Sequence, residues 1–304
     1  MKYRISSSVL QFKPKIELAW RLKEWDGIDD PDKDLLFFGL YHDRDFDVFY
    51  NFEGNRHVFW CGSDILNVQK DYERQRVLKL RPETKHYCEN EQEAENLRSI
   101  GIEPTVIPSF LGRVSHYKLS CRMPKKGEKW KVWMCGHPSR EQEYGFDQTK
   151  EMAKIFPDIE FHFYGVEKKY QGKPYSSSDD LPNVFYHGLV KEEDLDWAIK
   201  NYHCGFRANV NDGFSEVIVK SLLLGQYCIT RIPYKYTWNY ETRESLIQLF
   251  NKLKNQKKPN YEPRAQLIKE INQFPWCKRE YWNPKDESSD SGIGNGGGST
   301  GESN

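Results

Sequence analysis

The stretch Cys204–Thr230, CGFRANVNDGFSEVIVKSLLLGQYCIT, decides the fold. Two short apolar runs, Cys204–Ala208 and Gln226–Thr230, flank a polar turn, Asn209–Phe214, and an apolar segment, Ser215–Leu224, which Gly225 closes. Runs of this length bounded by turn residues predict strand, turn, helix and strand. A helix that starts directly after a polar turn presents unpaired backbone amides and the positive end of its dipole, so an anionic ligand such as a diphosphate would be stabilised there. Gly213 lets the backbone approach such a ligand closely. The same residues also fit an ordinary strand-loop-helix unit in which Ser215 only caps the helix.

Inside that helix, Glu216 and Lys220 stand four residues apart, the spacing of a Glu-to-Lys pair worth about 0.2–0.5 kcal/mol. Lys220 is then either half of a helix ion pair or a donor to a bound diphosphate or ribose, with Glu216 holding it. The sequence leaves both open.

Working outward, 304 residues suit two domains at the usual size of roughly 100–200 residues each. Lys plus Arg and Asp plus Glu are equal at 45, so no bulk charge directs the chain to nucleic acid or to acidic polymers. Seven widely spaced cysteines without a Cys-x-x-Cys pair read as reduced thiols, which argues against a disulfide framework or a zinc site and for a cytoplasmic protein. The N-terminus lacks a continuous apolar core of a signal peptide, and no run is apolar enough to span a bilayer. The 18 Tyr, 17 Phe and 9 Trp are chiefly core material, with stacking on sugars or bases reserved for any that face a cleft.

In the first third, Asp34–Tyr41, Asp47–Phe52 and Arg56–Cys61 read as buried strands, Arg76–Leu80 and Lys85–Cys88 as weaker ones, and Glu91–Ser99 as a helix. The basic, polar stretch Leu111–Gly127 reads as a linker. Beyond it the pattern alternates: strand Lys131–Cys135, helix Gln142–Ile155, strands Glu160–Tyr164 and Val184–His187, helix Glu192–Asn201, then the central stretch and helices Glu241–Lys254 and Glu262–Phe274. Such a β-α repeat implies a parallel sheet covered on both faces. The expected division is residues 1–112, a linker 113–128, residues 129–273, a crossover 274–283 and a disordered tail 284–304, whose composition holds almost nothing to bury.

Arg207, Asp212-Gly213-Phe214, the position seven residues beyond Asp212, and Gly225 resemble the donor site of glycosyltransferases of the GT-B fold, most of all family 4 and related retaining groups. The fold this implies is α/β, with two Rossmann-like domains facing across a cleft. That family carries two acidic residues seven apart; here Asp212 fills the first place and Lys220 the second, where the family's carboxylate is expected to hold the ribose. The segment around Gly136, His137 and Arg140 stands where the family grips the diphosphate with Arg and Lys, His137 and Tyr144 occupying those two places. His187, Gly188 and Leu189 match the family's His-Gly turn beside the base. Ser215 and Glu216 open the helix of the donor site. Gly62, Ser63 and Asp64 resemble a strand end on the acceptor side, where Asp64 would orient an acceptor hydroxyl unless it caps a helix.

The resemblance implies transfer of a sugar from a nucleoside-diphosphate sugar to a glycan, lipid-linked or small-molecule acceptor, with retention, no cofactor and no metal requirement. Catalysis would then rest on positioning and on stabilising the departing diphosphate. Peripheral association with a membrane is compatible with it. The competing reading is a GT-B shell without turnover that binds a sugar or nucleotide as the subunit of a partner enzyme; an epimerase or phosphorylase has no feature here that selects it.

Overall fold

The computed structural model describes residues 1–28, 33–137, 140, 142–166, 169–170, 173–174 and 181–282. The 284–304 tail lies outside them. The chain builds two six-stranded parallel sheets. The first contains β1 (Lys2–Ile5), β2 (Lys23–Glu24), β3 (Asp34–Phe38), β4 (Asn55–Phe59), β5 (Lys85–Cys88) and β6 (Pro104–Val106), in the order β2-β1-β3-β4-β5-β6. The second contains β7 (Trp130–Cys135), β8 (Ile159–Tyr164), β11 (Val184–Tyr186), β12 (Cys204–Arg207), β13 (Tyr227–Thr230) and β14 (Trp238–Asn239), in the order β11-β8-β7-β12-β13-β14. A two-residue antiparallel pair, β9 (Lys169–Tyr170) and β10 (Lys173–Pro174), lies between β8 and β11.

Eleven α-helices lie among the described residues, the last three of them beyond β14: α1 (Lys13–Ala19), α2 (Asp43–Asn51), α3 (Ser63–Gln69), α4 (Tyr72–Lys79), α5 (Glu91–Arg98), α6 (Phe146–Ile155), α7 (Glu192–Ile199), α8 (Glu216–Leu224), α9 (Arg243–Lys254), α10 (Glu262–Glu270) and α11 (Arg279–Trp282). Strands buried on both faces explain the near-continuous apolar runs. Along β3, Leu35 and Phe37 enter one core while Leu36 and Phe38 enter the other. In β13, Tyr227 and Ile229 face one core of the second sheet and Cys228 the opposite one. Helix α8 is apolar nearly all round because every residue from Val217 to Leu224 is buried.

Two expected strands are helices. Asp47–Phe52 lies in α2, whose N-terminal amide at His42 is held by the Asp45 carboxylate at 3.0 Å, and Phe46, Phe49 and Phe52 bury one face at a spacing of three. Arg76–Leu80 belongs to α4, capped by Asp71 accepting from Arg74 N at 3.1 Å. The helix expected to reach Phe274 stops at Glu270, because Ile271 is extended and Asn272 takes a left-handed φ of 55°. Strand β1 and helix α1 have no counterpart in the sequence reading.

Asn272 explains that early stop. Its side chain accepts from Phe110 N at 2.9 Å and donates to Phe110 O at 2.8 Å, tying the chain's return crossing to its outward one. Phe274 and Trp276 then enter the core of the first sheet, against Trp20, Phe59 and Tyr87. The segment 113–128 lies on the second sheet's helices: Tyr117 packs in the core with α8, and Ser120 N and Cys121 N both donate to Leu224 O. Among the described residues, no helix is long and apolar enough to cross a membrane.

Candidate functional site

The carboxyl ends of both sheets face each other across a cleft of about 380 Å3. Ligands of open parallel sheets bind at such ends. One wall comes from residues beyond β3 to β6, the other from Cys135 and Gly136 after β7, Arg207 at the end of β12 and the loop 212–217 that opens α8.

Arg207 and Asp212 organise the second wall. Arg207 Nε donates to Asp212 Oδ2 at 2.6 Å, and the guanidinium lies 4.6 Å from the centre of the Tyr144 ring. Burial disfavours the Arg207 charge, but Asp212 outweighs it and drives the pKa upward. Ser215 caps α8, its Oγ accepting from Val217 N at 3.3 Å, while Gly225 ends the helix in the left-handed conformation. Asp212, Gly213, Phe214, Ser215, Glu216, Gly136 and Arg207 therefore share one cleft.

Lys220 is elsewhere. It is fully buried, and its ammonium lies 2.8 Å from Asp196, 3.1 Å from Glu192 and 3.1 Å from Glu216, with Tyr117 beneath it. Burial opposes its charge, and these carboxylates with Tyr117 raise its pKa nonetheless. The Glu216 spacing thus yields an ion pair, widened to three acids. The same cluster reaches the first domain: Lys15 of α1 bonds Glu216 and stands 3.1 Å from Glu192. Lys220 does not line the cleft.

Other expected donor residues are also outside it. His187 pairs with His162 at 3.0 Å and stacks on Tyr164 at 4.4 Å; Gly188 N donates to Val166 O, and Leu189 is 90% exposed. His137 and Arg140 are exposed, and Arg140 pairs with Glu143. On the first domain, Gly62 packs beside the Gly213 backbone at a φ of 91°, and Ser63 Oγ bonds the Tyr41 hydroxyl at 3.2 Å. Asp64 is fully buried; Leu40 N, Cys61 N and Ile65 N donate to its carboxylate at 3.2, 3.0 and 3.0 Å. Burial pushes it up to about 7. Asp64 therefore fixes the loops after β3 and β4 and is not among the residues that line the cleft.

The carboxylate on that side that lines the cleft is Glu89, absent from the sequence reading. Its Oε2 accepts from Phe214 N at 3.0 Å, Ser109 Oγ donates to Oε1, and neighbouring Asn90 Nδ2 donates to Asp212 O at 2.8 Å. Burial, with Asp212 adding to it, pushes Glu89 up to about 7 against the hydrogen bonds from Ser109 and Phe214. Glu93 behind it, which accepts from Glu89 N at 2.8 Å, is raised further. A signal existed: Glu89 immediately follows a strand that the apolar pattern had located.

Among the described residues, Asp-x-Asp spacings occur at Asp43–Asp45, Asp45–Asp47 and Asp194–Asp196, but none lines the cleft; Asp45 serves Arg4 and Ser6, and Asp196 serves Lys220 and Tyr117. Among the described residues, no three metal-ligating side chains converge.

No family model matches the chain, and no curated protein does. Solved structures do. Sucrose-phosphate synthase from Thermosynechococcus elongatus superposes with a TM-score of 0.57 at 12% identity, covering 78% of this chain and 69% of that one. A UDP-forming trehalose-phosphate synthase from Burkholderia xenovorans, in complex with glucose-6-phosphate, gives 0.58 at 8%, covering 80% and 72%. Anabaena HepE, in complex with UDP and glucose, gives 0.54 at 12%, covering 78% and 73%. The fold is GT-B. The chain spans about half the length of TarM, covering 53% of it at a TM-score of 0.53 and 10% identity. The GT-B frame puts Arg207, Asp212 and the amides ahead of α8 on one wall and Glu89 on the other.

Proposed function

We propose that the chain transfers a sugar from a nucleoside-diphosphate sugar, held by the domain 129–273, to an acceptor held by the domain 1–112, with retention and without a bound metal. The observation that carries this reading is the Arg207–Asp212 pair at 2.6 Å beside the α8 amides, in a cleft walled by both domains. In this reading Asp212 accepts from the sugar's hydroxyls, and Arg207 holds Asp212 in place and supplies positive charge to the leaving diphosphate; the space beside Gly213 is filled by Glu89 Oε2, which also takes the Phe214 amide. The apolar walls exclude water, which favours transfer over hydrolysis. The UDP and glucose of the Anabaena HepE complex motivate a nucleotide sugar as the first ligand to try.

A second reading, a sugar- or nucleotide-binding subunit without turnover, is favoured by a separate fact. The cations nearest the donor loop are already matched: Arg207 by Asp212, Lys220 by three acids and Lys15 by Glu216 and Glu192. Calorimetric titration of the chain with UDP-, GDP- and ADP-sugars, with and without chelator, tests the first reading, because bound ligand also raises the melting temperature by mass action. Chelator-insensitive binding followed by hydrolysis or transfer supports it. Binding with no turnover on any acceptor supports the subunit, and no binding to any nucleotide sugar removes the donor assignment.

A further inference from the structure

The first-domain wall of the cleft has a distinct chemistry. Its apolar surface comes from the half-buried Phe12 and Leu111, with Phe38, Phe59 and Phe110 buried behind them and Phe38 and Phe59 stacked on each other at 4.9 Å. Its polar groups are the Glu89 carboxylate, the Ser109 hydroxyl and the Cys61 thiol, which burial keeps protonated. Among the described residues lining the cleft, the one cation is Arg207, on the opposite wall and paired with Asp212. The Asp212 carboxylate acts on Glu89 with the same sign, and burial, with Glu89, Asp64 and Asp212 adding to it, disfavours a charge on Glu93 behind it. A carboxylate accepts hydrogen bonds from hydroxyls and offers an anion nothing. Like charges in a partly enclosed space repel more strongly than in bulk water.

We propose that the ligand taken by this wall is an uncharged, hydroxyl-bearing glycan or glycoside, whose apolar ring face lies against Phe12 and Leu111, and that Glu89 turns away acceptors carrying phosphate or carboxylate. Glu89 acts here as the specificity-determining residue. The inference rests on the reading of the cleft as a transfer site and adds the acceptor's class to it. Its test contains no nucleotide, so failure of the donor reading shows in the nucleotide-sugar titration and leaves this result to stand alone.

The test is titration of the full chain with methyl α-glucoside, maltotriose and glucose 6-phosphate, read by calorimetry and ligand-detected magnetic resonance at pH 8, where Glu89 is ionised. The neutral probes should bind, the phosphate ester at least about tenfold more weakly than the glucoside. Glu89→Gln should shrink that ratio by strengthening the phosphate ester relative to the glucoside. In the wild-type chain, ionic strength near 1 M, where the screening length falls to about 3 Å, should shrink it as well. This second measurement does not depend on the variant's folding. Equal binding of the phosphate ester, a ratio that neither salt nor Glu89→Gln moves, or silence of both neutral probes would overturn the proposal.

Discussion

Glu89 Oε2 accepts the backbone N–H of Phe214 at 3.0 Å, so a carboxylate from the end of β5 holds the loop that opens α8 on the other domain. Two sheets with separate cores thus meet at a charged contact, and its protonation state becomes a property of the whole cleft.

The first prediction concerns pH. Glu89 titrates near 7 in the folded chain, against an ordinary 4.5, chiefly through burial. A raised acid favours the folded state below its unfolded pKa, and this contribution is lost as pH rises through the folded value. Three buried histidines push in the opposite sense: His86, His162 and His203 are lowered by burial to about 4, 3 and 4. Their effect is common to wild type and variant, so the difference isolates the acid. The melting temperature of Glu89→Gln relative to wild type should therefore climb between pH 5 and pH 8. A difference that is flat across that range would mean Glu89 ionises normally.

The second prediction concerns Lys220. Removing its charge leaves Glu192, Asp196 and Glu216 facing one another. Lys220→Met should cost about 3–5 kcal/mol of unfolding free energy, the range for breaking a buried ion pair. Lys220→Glu, which would recreate the two-acid spacing, adds a fourth carboxylate to three and should leave little folded protein at pH 7. Chemical denaturation of the two variants checks this; a stable Lys220→Glu chain would show that the buried cluster rearranges freely.

The third prediction concerns Asp212. Asp212→Asn deprives Arg207 of its charged partner at 2.6 Å, a loss of about 1.5–3 kcal/mol that a two-domain chain should survive. Nucleotide-sugar binding or transfer should disappear. Wild-type rates in a folded variant would remove Asp212 from the site.

The sheets were readable because buried parallel strands announce themselves as apolar runs, and Cys204–Thr230 resolves into β12, α8 and β13 almost residue for residue. Helix α2 was not, since FDVFYNF is as apolar as a strand; its helical state depends on the Asp45 carboxylate reaching back to His42. The loop that opens α8 beside the cleft was legible from Arg207, Asp212 and Gly213. Lys220 was legible only as far as Glu216, because Glu192 and Asp196 come from α7 and no local spacing connects them. Glu89 has the same cause: its partners Ser109 and Phe214 are 20 and 125 residues away.

The fourth prediction joins the two walls. A side chain at Gly213 would overlap Glu89 Oε2, and that carboxylate is held in place by the Phe214 amide at Oε2 and by Ser109 at Oε1. Gly213→Ala should therefore cost about 1–3 kcal/mol through overpacking. In a Glu89→Ala background the obstruction is gone, and the same substitution should cost much less. The resulting coupling, about 1–2 kcal/mol in a double-mutant cycle, lies in the range of residues in direct contact. Denaturant titration of the four proteins measures it, and hydrogen exchange at Phe214 gives a parallel readout, since its amide should lose protection in Glu89→Ala. Additive costs with an unchanged Phe214 exchange rate would mean that in solution the domains stand further apart at this loop, with Glu89 free in the cleft.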